Sequence, residues 1–237
     1  MTQNIYDNDG FFAGYSRLAR SVDGLAGAAE WPTLRALLPD MSGLRVLDLG
    51  CGFGWFCRWA RGAGADGVRG VDVSEKMLER ARADTNDDGI VYERADLETF
   101  RIDRAVYDLV YSSLTFHYIE SLGALIDQIH HGLAPGGHFV FSVEHPIYTA
   151  PSDPRFVGDT WPLDRYLEEG PRTTDWLAKG VVKHHRTVAS YVNLLLRAEF
   201  MLNHVEDWGP SEEQIAVHPE WKNERQRPPF LLVSARR

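Results

Sequence analysis

The stretch from Arg45 to Phe56, RVLDLGCGFGWF, constrains this chain more than any other. It is an apolar run that breaks into alternating glycines and resumes as a helix. Such a turn aims the first helix amides at whatever lies there, and glycine lets that ligand approach the backbone closely. The expected occupant is nucleotide-like. A dinucleotide site has G-x-G-x-x-G. Here Gly50, Gly52 and Gly54 give G-x-G-x-G, and Trp55 stands where the third dinucleotide glycine belongs. Asp48 precedes the turn. A carboxylate aimed at the pocket repels a pyrophosphate and suits a cationic ligand, which argues against NAD.

From residue 44 onward, strand-like and helix-like runs alternate. LRVLDL (44–49), GVRGVDV (67–73), IVYERAD (90–96), VYDLVYSS (106–113) and HFVFSVE (138–144) read as strands. Helices follow the first, second and fourth, and Ser74 is placed to cap the one over 74–84. Short connections between alternating elements imply a parallel sheet covered on both faces. Residues 11–39 read as helices packed over one end. After His145 comes a stretch rich in proline and aromatics without clear period, which in a compact domain is usually functional or mobile. VVKHHRTV reads as a further strand, and a helix over 188–200 precedes two late strands joined by a loop. The expectation is an α/β, Rossmann-like, seven-stranded, mostly parallel sheet with an antiparallel C-terminal strand. It forms one domain: a helical lid (1–43), a ligand-binding core (44–145), a substrate-cap insert (146–186), and a C-terminal helix and strand pair (187–237).

Composition excludes several classes. The net charge is −9, with no basic run of the kind that grips a nucleic-acid backbone, so nucleic acid is an unlikely partner. No apolar run approaches a membrane span. The polar, acidic start lacks the basic and apolar regions of a signal peptide, so a cytoplasmic location is expected. The two cysteines, Cys51 and Cys57, read as reduced packing residues.

Two more acids end strands on the ligand side. Asp72 closes the second strand, where a carboxylate accepts both hydroxyl hydrogens of a ribose. Asp96, in RADLE, is placed to accept from an adenine amine, with Leu97 against the ring. Any one of these acids has a bland reading as a turn former. Three at successive strand ends point to a site.

With these residues assembled, the chain resembles the class I S-adenosylmethionine-dependent methyltransferases. VLDLGCGFG is similar to that family's first motif, GVDVSEKML to its second-strand acid and helix, and RADLE to its adenine contact. YDLVYSSLTFHYIE and LAPGGHFVFS resemble the motifs around strands four and five. The likeness covers roughly residues 44–144. Within the family it is closest to the small-molecule group around the ubiquinone and menaquinone methyltransferases. The resemblance implies S-adenosylmethionine as cofactor, with Gly50, Gly52 and Gly54 around its methionine part and Asp48 near its ammonium. Asp72 would hold the ribose, Asp96 the adenine amine, and Ser112 and Ser113 would border the sulfonium. Cys51, Val73 and Met77 complete the implied cofactor wall. Tyr15 and Arg20 are candidates for the lid and the methionine carboxylate.

Methyl transfer to an acceptor that must lose a proton needs a base. His117, after strand four, is the first candidate for a base or an acceptor contact, followed by His145 and by His184 or His185. The same histidines raise the idea of a metal site, but they lack the helical spacing of a zinc pair, and none is expected. The aromatics Tyr148, Phe156, Trp161, Tyr166 and Trp176 either wall an acceptor pocket or form the core of a small cap, and the pocket is favoured. The main expectation is an enzyme that methylates a small molecule, as a monomer or homodimer. Methylation of RNA or protein, and cofactor binding without catalysis, are the alternatives.

Overall fold

The computed structural model describes residues 3–237. Three short helices come first: α1 (Asp9–Tyr15), α2 (Ala19–Val22) and α3 (Trp31–Ala36). The expected alternation follows as β1 (Arg45–Leu49), α4 (Trp55–Gly62), β2 (Gly67–Asp72), α5 (Glu75–Ala83), β3 (Ile90–Arg94), β4 (Tyr107–Ser113), α6 (Leu122–Gly132) and β5 (Leu133–Glu144). Ser74 caps α5 by accepting from the Met77 amide. Strand β5 starts ahead of the expected His138. Its first residue pairs with Tyr107, and the register then jumps so that Leu109 faces His138. The proline-glycine break therefore lies within the strand as an irregularity, not before it.

The insert is less irregular than its composition suggests. Helix α7 (Pro146–Thr149) leads through a loop to β6 (Gly170–Trp176) and β7 (Ala178–His185), an antiparallel hairpin forming its own two-stranded sheet. The inward residue of β6 is Arg172, only 7% exposed, and its guanidinium donates to the carbonyls of Ala150 and Glu168. An arginine on the inner face removes the apolar alternation by which a strand is recognised. The chain closes with α8 (Val188–Arg197), β8 (Met201–Trp208), α9 (Glu212–Val217) and β9 (Phe230–Arg236). The link between the last two strands is thus not a bare loop. It carries α9, opened by a reciprocal Ser211–Gln214 capping box.

The main sheet runs β3-β2-β1-β4-β5-β9-β8. Strands β1 to β5 are parallel, and β9 is antiparallel to both β5 and β8. Alternation along each strand divides the core. Leu47, Val110, Phe139, Phe141 and Val233 face α6 and α8. Val46, Leu109, Val140 and Leu232 face α3 and α4. Both faces are covered, which explains why the strands read as nearly continuous apolar runs. Ile126 and Ile129 of α6 are fully buried. Truncating either to alanine costs about 2–5 kcal/mol. The core therefore holds the carboxyl edge of the sheet as a rigid platform, and no helix among the described residues is long and apolar enough to cross a membrane.

Candidate active site

The strand order reverses between β1 and β4, so the crevice for a ligand opens at the carboxyl ends of these strands. The glycine turn begins there. The amides of Gly50 and Cys51 both donate to the Val71 carbonyl, at 2.8 and 3.0 Å, folding the turn back onto β2. A side chain at Gly50 would lie 2.0 Å from Thr115 Oγ1. Gly52 differs. Its φ of +51° favours glycine, and nothing stands within 4 Å of where a Cβ would be, so its open side faces the crevice. Its amide donates to Asp72 Oδ2 at 2.9 Å, and the Ser74 amide donates to Asp72 Oδ1 at 2.9 Å. Asp72 thus ties the first turn to the second while keeping further lone pairs for a ligand.

Asp48 lies beneath the turn, 2% exposed. Burial pushes its carboxyl up to about 7, although the Cys57 thiol donates to Oδ2 at 3.2 Å. Burial also pushes the Cys51 thiol up to about 11. Both cysteines are free, and a side chain at Gly70 would meet their sulfurs at 2.9 and 3.0 Å. These thiols fill the space between β2 and α4.

A roof lies over the crevice. Asp7 accepts from Ser74 Oγ at 2.6 Å and from the Lys76 amide at 3.2 Å, pinning the N-terminal segment to α5. The Gln3 side chain donates to the Gly180 carbonyl and accepts from the Val182 amide, both at 2.9 Å, joining that segment to β7. Tyr15 and Phe11 meet Trp176 of β6 edge-on. Two ion pairs stand on the walls. Arg20 Nη2 reaches both Glu30 oxygens at 3.0 and 3.1 Å, and Lys183 Nζ lies 2.6 Å from Glu144 Oε1. The space beneath the roof, still partly open to solvent, is about 300 Å³, at the lower end of the range of ligand pockets.

The structure brings together Tyr15, Arg20, Asp48, Gly50, Cys51 and Gly52 on this wall, and with them Asp72, Val73, Met77, Leu97, Ser113 and His117. The remaining sequence candidates lie elsewhere. Gly54 turns with φ +72° against the Tyr92 hydroxyl. Ser112 is fully buried and donates to the Leu49 carbonyl at 2.7 Å, lacing β4 to β1. Asp96 lies beyond the end of β3 and accepts from the Glu98 amide at 3.1 Å. His145 caps α7, with Nδ1 accepting from Ile147 and Nε2 2.8 Å from Asp207. His184 sits on the face of β7 opposite the buried Lys183 and His185. His185 itself is engaged by Thr149 and by the Tyr166 carbonyl.

His117 is on the wall, with one ring nitrogen already engaged. Its Nδ1 accepts from the Glu144 amide at 3.3 Å, and burial pulls the ring down to about 4. The neutral ring with Nδ1 so engaged carries its proton on Nε2. The aromatics of the insert also divide. Only Trp176 among them reaches the crevice. Tyr148, Phe156 and Trp161 instead surround the Arg227 guanidinium, at 3.8, 4.5 and 3.9 Å from their ring centres. Sequence reasoning missed Glu144, Tyr6, Tyr118 and Glu30. Glu144 had the signal that revealed Asp72, an acid at the carboxyl end of a parallel strand.

The residues present fit S-adenosylmethionine. Two buried polar atoms on the wall, Trp55 Nε1 and Ser21 Oγ, lack any protein partner among the described residues. Buried donors in that state are expected to be satisfied by a ligand or by water. The open side of Gly52 and the doubly bonded Asp72 provide a cradle and a hydroxyl acceptor beside them. A seven-stranded sheet reversed only at its last strand, with this crevice at the switch point, defines a Rossmann-like methyltransferase. Residues 47–141 match a family model described as a methyltransferase domain. The crystal structure of an S-adenosylmethionine-dependent methyltransferase from Mesorhizobium loti superposes with a TM-score of 0.88 and 60% identity, covering 90% of this chain and 100% of that one. An uncharacterised protein of Haemophilus influenzae is 35% identical over 99% of this chain and 97% of its own length. A malonyl-[acyl-carrier protein] O-methyltransferase of Erwinia pyrifoliae is 33% identical over 65% of this chain, but the match spans only 59% of that relative. The chain belongs to the class I S-adenosylmethionine-dependent methyltransferases.

Proposed function

We propose that this enzyme methylates a small molecule inside the roofed crevice. The observation that carries the reading is the roof over the crevice. The N-terminal segment and the β6–β7 hairpin are hydrogen-bonded to each other over the crevice, leaving about 300 Å³ beneath them. A macromolecular acceptor needs an open or basic approach, and the chain carries −9. The domain division fits this use: residues 1–43 act as lid, 44–145 as cofactor core, 146–186 as acceptor cap, and 187–237 complete the sheet. Two free thiols support a reducing, cytoplasmic setting.

When bound, the cofactor supplies a methyl carbon already activated by a sulfonium. The chain's own work is to orient, enclose and exclude water, and orientation alone contributes roughly 7–11 kcal/mol in favourable cases. Gly52 gives the methionine part room, and Asp48 faces its ammonium. Arg20, Ser21 and Trp55 offer donors at the same end. Asp72 takes the ribose hydroxyls, and Leu97 packs on the adenine. Ser113 borders the reacting centre at the end of β4. The malonyl relatives raise a second reading, a carboxyl acceptor, but the Erwinia pyrifoliae match spans only 59% of that relative.

The test uses isotopically methyl-labelled S-adenosylmethionine and a cell extract split into low-mass and macromolecular fractions. Label is expected in the low-mass fraction. Label confined to RNA or protein refutes the reading.

A further inference from the structure

Glu144 is the strand-end acid left over once Asp48 and Asp72 serve the cofactor. It ends β5, where Ser142 pairs with Ser113 of β4, and so it lies beyond the cofactor strands on the acceptor side of the crevice. Lys183 engages Oε1 at 2.6 Å. Among the described residues no protein donor reaches Oε2. Burial raises the carboxyl, but attraction to His117 whenever that ring is protonated, and to the Lys183 ammonium that also hydrogen-bonds it, outweighs burial and holds it below the usual range. Glu144 is therefore ionised. The wall beside it is aromatic: Tyr6 and Tyr118, whose hydroxyls lie 3.5 Å apart, and Trp176, whose ring centre is 5.1 Å from Lys183 Nζ.

The same wall is poor in bases. His117 has its Nδ1 taken by the Glu144 amide, and burial pushes the Tyr118 phenol up, so it stays protonated. Glu144 is held low. An alcohol or carbon acid must give up a proton to become a nucleophile, and none of these groups takes one readily near neutrality. A carboxylate acceptor needs no base, but it would set a second negative charge against Glu144. An amine meets both conditions. Bound in its neutral form, its lone pair attacks without loss of a proton, its N–H groups suit a carboxylate oxygen, and the ammonium formed by the transfer is favoured by the aromatic faces.

We propose that the methyl acceptor is a small amine, held through an N–H on Glu144 Oε2 between Tyr6, Tyr118 and Trp176. The inference rests on the small-molecule reading above. The nitrogen lone pair forms the N–C bond as the C–S bond breaks, and that bond's electron pair stays on sulfur. The methylated ammonium then faces Glu144 and gives one proton to water on release.

The experiment labels the low-mass fraction of a cell extract after chemical blocking. One portion is N-acetylated, another has its carboxyl groups esterified, and each is incubated with enzyme and labelled S-adenosylmethionine. Acetylation is expected to abolish low-mass labelling and esterification to leave it. The reverse pattern, or persistence after both treatments, overturns the amine and leaves the small-molecule reading standing. Label only in macromolecules, or none in any fraction, overturns that reading and the amine with it. With the labelled compound in hand, Glu144→Gln raises KM about tenfold or more, as losing a charged hydrogen bond implies. Its affinity for S-adenosylmethionine, measured by calorimetry, stays within about twofold of wild type. An unchanged KM overturns the proposal.

Discussion

Replacing Asp48 by asparagine should raise the stability of the free protein and weaken cofactor binding. The carboxyl is 2% exposed and moves from an ordinary 3.8 to about 7 through burial. With about 1.4 kcal/mol for each pH unit, holding it ionised in the folded chain costs about 4 kcal/mol at pH 8. Its folded pKa exceeds the unfolded value, so the folded state binds more protons between pH 4 and 7. This contribution is favourable in acid and is lost as pH rises through 7. Asparagine removes the charge and should raise Tm by several degrees, since about 1 kcal/mol corresponds to roughly 2–4 °C at this size. Cofactor binding runs the other way. An ammonium beside Asp48 favours the carboxylate, so below pH 7 binding releases a proton and affinity falls about tenfold per pH unit. Calorimetry between pH 5.5 and 7.5 in buffers of different ionisation enthalpy measures both quantities. A flat affinity in the wild type refutes the reasoning, as does a slope that persists in Asp48→Asn.

Further outcomes concern other parts of the molecule. Gly52→Ala puts a side chain into the crevice at φ +51°; cofactor affinity should fall at least about tenfold while stability drops by about 1–2 kcal/mol, read by calorimetry and thermal melts. Ser112→Ala leaves the Leu49 carbonyl without its 2.7 Å donor. It should cost about 1–3 kcal/mol in urea unfolding without changing the kinetics' dependence on acceptor. Arg227→Ala removes a guanidinium that is 6% exposed, together with its ring contacts, and should destabilise by about 2 kcal/mol or more. Limited proteolysis should then cut between residues 150 and 169, with cofactor affinity unchanged.

The parallel core was legible because its strands are short hydrophobic runs, four of them closed by glycine or an acid and β4 by Ser112 and Ser113. Asp48, Asp72 and the glycines follow from that signal alone. Asp72 is held by the Gly52 and Ser74 amides, which sequence adjacency to the turn already suggests. The histidines were less legible, because a histidine's role depends on which nitrogen is taken. His117 loses Nδ1 to a backbone amide, and His145 spends both nitrogens on a cap and on Asp207. No local pattern encodes either contact. In the hairpin, VVKHHRTV marked β7, but β6 escaped for a related reason. Arg172 and Lys183 point inward, and their partners are carbonyls and an acid distant in sequence. The aromatics of the insert look alike in composition, yet one side chain, Arg227, draws three of them away from the crevice.

Strand β9 lies between β5 and β8 although it is the last of the strands to be synthesised. Until residues 230–236 leave the ribosome, β5 and β8 each present an unsatisfied edge, and neither can pair with its proper neighbour. Phe230 also lines the crevice beneath Arg20. Docking of β9 therefore joins β5 to β8 and supplies Phe230 to the crevice wall together. Chains stalled short of β9 should be sticky and unable to hold cofactor, which makes them ready targets for chaperones and proteases.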